Sequence, residues 1–152
     1  MSAMNLFQFL LRTDSGTVGL ILRITLSVVM FPHGAQKVLG WFGGHGFKAT
    51  MKSFTSSGIP ALLALLAIAT EFFGPVGLAF GFLTRIAAFG IVCVMLVAIV
   101  AVHWSHGFFM NWYGKQKAEG FEYHLLMLGI AIALIIVGAG DWSLDSALAG
   151  LR

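Results

Sequence analysis

The chain has 152 residues, of which 59 % are hydrophobic and only 10 % charged, with a net charge of +3. A soluble domain coats itself with about 25 % charged residues, so this composition excludes a water-soluble globule and predicts lipid as the solvent. The basic excess is thin and scattered, which excludes a nucleic-acid surface, and the single cysteine, Cys93, excludes a disulfide framework or a two-thiol relay within one chain.

In chain order, Leu6, Phe7, Leu10 and Leu11 predict a short amphipathic helix lying on the membrane surface. It is not read as a secretory signal, because the apolar residues precede Arg12 and no small-residue cleavage site follows. Residues 18–39 form the first span, since about 20 mostly apolar residues cross a bilayer. At about 100° per residue, Arg23, Ser27, Met30, Gly34 and Lys37 share one face, with His33 beside it. In the connection that follows, Phe47, Met51 and Phe54 recur at helical spacing beside Lys48 and Lys52, which predicts an interfacial helix.

Residues 60–83 form the second span, broken only by Glu71. A charge at mid-bilayer costs about 2.5–3.5 kcal/mol on insertion scales, so Glu71 needs a partner. Arg23 is the first expected partner and Lys37 the second. Pro75 withholds the amide that would bond the Glu71 carbonyl, so carboxylate and freed carbonyl occur together as an acceptor-rich pocket. Whether this is a structural ion pair or a functional site stays open. Gly77 and Gly81 follow a small-xxx-small pattern that predicts close helix packing.

The stretch from Gly81 to Arg85 predicts a tight hairpin, with Thr84 capping the next helix and Arg85 at the headgroups. The third span, residues 86–103, carries no acid or basic lysine or arginine, and Cys93 is a small packing residue there. The next connection holds Trp104, Phe108, Phe109, Trp112, Tyr113, Phe121 and Tyr123, an aromatic cap over one mouth of the bundle. The fourth span covers residues 124–140. His103, His106, Glu122 and His124, with His33 near the same level, predict a hydrogen-bonded polar collar. Metal or haem ligation by these groups stays open, although no fixed metal spacing is matched and no metal is assigned. Arg12, Arg85 and Arg152 fall on the side of the termini and Lys37, Lys48, Lys52, Lys115 and Lys117 on or near the other. That margin is too small to orient the chain.

The stretches "ILRITLSVVMFPHGAQKVLGWFGGHG" and "GIPALLALLAIATEFFGPVGLAFGFLTRIAAFG" resemble the DoxX family. The matching elements are Arg23, the His-Gly-x-x-Lys stretch (His33, Gly34, Lys37), Gly58-Ile59-Pro60, Glu71, and Gly81 to Arg85. The resemblance covers roughly residues 18 to 140. It implies an all-α, integral four-transmembrane-helix bundle of the bacterial inner membrane, one domain over residues 1–152. It also implies membrane redox and oxidative-stress complexes as the setting, with Arg23, His33, Lys37 and Glu71 as the shared polar core.

Three functions follow as expectations. The first is a quinone-linked or redox-associated subunit, in which Arg23 or Lys37 holds a quinone oxygen and Glu71 or His33 moves the proton. The second is a non-enzymatic assembly or scaffold protein for a membrane or redox partner. The third is small-molecule or proton transport by a homo-oligomer.

Overall fold

The computed structural model describes residues 6–150, so Arg152 lies outside the described residues. Every regular element among them is helical. They are α1 (Leu6–Leu11), α2 (Val18–Val38), α3 (Gly46–Ser56), α4 (Ala61–Phe80), α5 (Thr84–Ala98), α6 (Glu122–Val137) and α7 (Leu144–Gly150). Three helices are long and apolar enough to cross a membrane: α2, α4, and α5 with its continuation to His106. The 16-residue α6 is also apolar but shorter, about 24 Å at 1.5 Å per residue.

Helices α2, α4, α5 and α6 close a ring in which each packs on the next, and α6 returns to α2. Leu26, Met30, Leu78, Ala88, Ile91, Met95 and Leu134 fill its centre. The outward faces stay apolar: Val28, Leu62, Phe73, Phe89 and Ile136 are all exposed. An apolar exterior of this extent suits acyl chains and not water. Helix α3 lies across α2 and α4, and α1 touches α5 and α7.

Two glycines bear on the site and its hairpin. At Gly34 a β-carbon would overlap the Glu71 carbonyl, so α2 runs directly over the oxygen that Pro75 leaves free of its amide. Gly81 ends α4 at φ 62°. Its amide bonds Leu78 O at 3.0 Å and the Phe82 amide bonds Gly77 O at 2.8 Å. This left-handed cap satisfies the last carbonyls of the helix. Gly77 and Gly81 shape the hairpin turn, and Gly81 is also a close-packing position, since a β-carbon there would overlap Ser143 beside α7.

Two expectations are corrected. Thr84 does not cap α5: the N-cap is Leu83 at φ 49°, and the buried Thr84 hydroxyl has no hydrogen-bond partner, because Thr84 already lies inside the first turn. Cys93 is exposed on the outer side of α5, not packed between helices.

Helix α5 does not end cleanly. It widens into a π turn over Ile99–His103 and then tightens into a 3-10 turn over Trp104–His106. Such turns reset the register of the side chains. Here the result is that His103 comes to lie beside His124 of α6, with ring centroids 4.1 Å apart.

Candidate functional site

Glu71 is the eleventh residue of α4, about 15 Å from its start by helical rise, and it is buried. Its Oε2 is paired with Lys37 Nζ. A helical Cα–Cβ bond tilts toward the helix N-terminus. Helices α2 and α4 run in opposite directions, so Lys37 leans down into the bundle and Glu71 leans up toward the long connections. The two side chains converge although Lys37 sits one residue from the end of its helix. The Phe54 ring of α3 lies 5.7 Å from Lys37 Nζ, a cation–π distance.

His33 precedes Lys37 by one turn and shares its face. Its ring lies 5.9 Å from that of Tyr123 on α6, and the Tyr123 hydroxyl reaches Met30 Sδ at 3.7 Å. Tyr123 meets His124 at 5.3 Å, edge to face. The buried His124 Nδ1 has no hydrogen-bond partner. His103 Nδ1 bonds the Glu119 carbonyl at 2.8 Å. If Nδ1 carries the proton there, Nε2 keeps its lone pair. Lys37, Glu71, His33, Tyr123, His124 and His103 thus form one polar cluster at the long-connection end. It brings hydrogen-bond donors and acceptors from α2, α4 and α6 together.

The remaining collar residues do not join it. His106 is exposed on the 3-10 turn. The Glu122 carboxylate accepts the Met110 amide at 3.0 Å, and Glu119 accepts the Asn111 amide at 2.6 Å, so both acids fold their own loop. Among the described residues no group of three or more His, Cys, Asp or Glu is placed to hold a metal ion.

Arg23 is the main departure from the expected arrangement. It lies fourteen residues before Lys37, about 21 Å along α2. Its side chain leans away from Glu71 for the same Cβ reason. Its guanidinium is buried in a cage of carbonyls: Nε donates to Ala139 O at 3.1 Å, Nη1 to Leu78 O at 3.2 Å and Ala79 O at 2.5 Å, and Nη2 to Trp142 O. Leu78 and Ala79 are in the last turn of α4, where carbonyls lack intrahelical donors and a cation is favoured. Arg85 behaves likewise. It is buried against the protein and donates to Phe9 O and, at 3.0 Å, to Ile136 O.

Asp145 was not singled out by sequence, yet it organises this end. Buried on α7, it accepts the Leu83 amide at 2.7 Å and the Thr84 amide at 2.9 Å. It caps α5 from a residue 61 positions away in sequence, and places a negative charge at a helix N-terminus. The sequence signal is weak, since Asp145 is one of two acids, with Asp141, in the C-terminal stretch. Asp145→Ala strands the buried Thr84 amide, worth about 1–3 kcal/mol, and the part-buried Leu83 amide. Loss of about 2 kcal/mol is expected, and a smaller loss in Asp145→Asn, read as thermal midpoints in detergent.

The DoxX family matches this chain over residues 18–104. "Putative oxidoreductase CatD" of Bacillus subtilis (strain 168) is 32 % identical over 115 residues, 76 % of each chain. "Inner membrane protein YqjF" of Escherichia coli (strain K12) is 28 % identical over 129 residues, 85 % of this chain and 90 % of the other. No solved structure matches.

Proposed function

The chain belongs to the DoxX family and is a multi-pass protein of the bacterial inner membrane; from that premise we propose that residues 1–152 form one domain of four spans serving as a quinone-binding, redox-associated membrane subunit. The name of the Bacillus relative, an oxidoreductase, agrees with this reading. The observation that carries it is the pairing of half-buried Lys37 with buried Glu71 near His33, Tyr123 and the unpartnered His124 nitrogen. An ion pair that only held α2 and α4 together would not need further proton-bearing groups nearby, His33 on α2 and Tyr123 and His124 on α6.

In this reading Lys37 would donate a hydrogen bond to a ring carbonyl, with Glu71 as the acceptor that positions Lys37. His33 and Tyr123 flank the ring, and His124 Nδ1 offers a further polar contact. A quinone supplies two-electron, two-proton chemistry; the electrons come from a partner subunit. Arg23, whose donors are directed at carbonyls, takes a structural role rather than that of a quinone ligand.

That same cage favours a second reading, in which the whole polar core fixes helix packing and the protein is a scaffold for a partner complex. A photoreactive short-chain quinone separates the two. In nanodiscs the first reading expects saturable labelling of the segments around His33 and Tyr123, competed by unlabelled decyl-ubiquinone. Labelling spread evenly over lipid-facing residues would leave the scaffold reading standing.

A further inference from the structure

The two ends of the molecule differ in exposed charge, because Arg23, Arg85 and Asp145 are all buried at the terminal end. At the terminal end Arg23 and Arg85 are buried, with guanidinium donors on backbone carbonyls. The exposed charges there among the described residues are Arg12, Asp14 and Asp141. At the long-connection end Lys48, Lys52, Lys115 and Lys117 are all exposed, against the exposed acid Glu119. Glu119 is engaged with the Asn111 amide. Lys48 and Lys52 stand one turn apart on α3 and so share a face. Exposed rings are interleaved with these lysines: Trp41 and Phe47 near α3, and Trp104, Phe109, Trp112 and Tyr113 in the second connection.

We propose that this long-connection face is the cytoplasmic face of the protein and that it seats on anionic lipid headgroups. The proposal rests on the four-span reading, which puts both long connections on one side. Basic residues in short connections are retained in the cytoplasm, and lysines there are drawn to the negative surface of that leaflet. Indole and phenol rings settle at the same headgroup level. A solvated acidic protein partner would meet the lysines but would leave the large apolar rings without an apolar counterpart. The lipid interface accommodates both. The termini then face the periplasm, and the Lys37–Glu71 cluster opens toward the cytoplasm.

Two measurements test this. Single cysteines are placed at exposed positions on a Cys93→Ala background: Ser15→Cys at the terminal end, Ser56→Cys and Gln116→Cys on the two long connections. In spheroplasts a membrane-impermeant maleimide is expected to label the Ser15 variant, and to label the other two only after lysis. Labelling of both connections from outside overturns the orientation alone. Labelling of Ser56 and Gln116 variants from opposite sides overturns the four-span reading and the proposal with it. Separately, the thermal midpoint is compared in nanodiscs of phosphatidylcholine and of a phosphatidylcholine–phosphatidylglycerol mixture. A rise of several degrees with the anionic lipid is expected, lost in high salt and lost when Lys48, Lys52, Lys115 and Lys117 are all changed to Gln. An equal midpoint in both lipids overturns the headgroup seat.

Discussion

Arg23→Lys, which keeps the charge, is expected to unfold far more readily than the parent chain. The arginine fork spreads its donors over carbonyls from two separate stretches, Leu78 and Ala79 at the end of α4 and Ala139 and Trp142 after α6. Lysine presents three donors from one point on a flexible stem, so it cannot span both groups. At least two buried carbonyls then lose their partner, at about 1–3 kcal/mol each. The expected loss is about 2–4 kcal/mol for Arg23→Lys and more for Arg23→Met, which removes every donor and leaves only Leu78 O with a partner, the Gly81 amide. Against a typical total stability of about 5–15 kcal/mol, the second variant is expected to accumulate poorly in the membrane. Titration with denaturing detergent measures the difference. An Arg23→Met chain that unfolds at the parent's concentration would show the carbonyl cage to be dispensable.

The second large effect concerns Lys37 and Glu71, and here stability and function separate. Removing one member of a fully buried ion pair costs about 3–5 kcal/mol, because the other charge is left uncompensated. Exposed pairs are worth at most about 1 kcal/mol. Glu71 is buried, but the Lys37 side chain keeps 29 % of its surface exposed. A value between those limits, about 2 kcal/mol, is expected for Lys37→Met and for Glu71→Gln. The double variant restores an uncharged contact and is expected to recover most of the loss. The interaction energy, taken as the non-additive part of the cycle, is read from the same detergent titrations. If the pair is a ligand site, the stable double variant still loses saturable labelling by the photoreactive quinone. Retained labelling in a well-folded double variant would remove Lys37 and Glu71 from the proposed site.

The same pair shows where reading along the chain runs out. A helical wheel of the first span places Arg23 and Lys37 on one face with equal standing. The wheel has no axial direction, so it ranked the deeper base, Arg23, as the partner of a mid-depth acid. The choice between them is made by the antiparallel run of α2 and α4 together with the tilt of every Cβ toward its helix N-terminus. Those two facts carry Lys37 toward Glu71 and Arg23 toward the last turn of α4. Similarly, Thr84 has the side chain of a capping residue, but the positive φ of Leu83 puts it one place too far into the helix, and a carboxylate from α7 does the capping.

By itself the sequence determined the solvent, the helical class, the apolar segments, the family, and the residues that must find polar partners. Composition, apolar run length and ordered short motifs are local properties that one strand of text carries in full. Only the tertiary structure decided which partner each polar group finds: Lys37 for Glu71, backbone carbonyls for Arg23 and Arg85, and Asp145 for the start of α5. These partners lie tens of residues apart, and burial and backbone direction select among chemically equivalent choices. Burial likewise decided which charges remain on the surface.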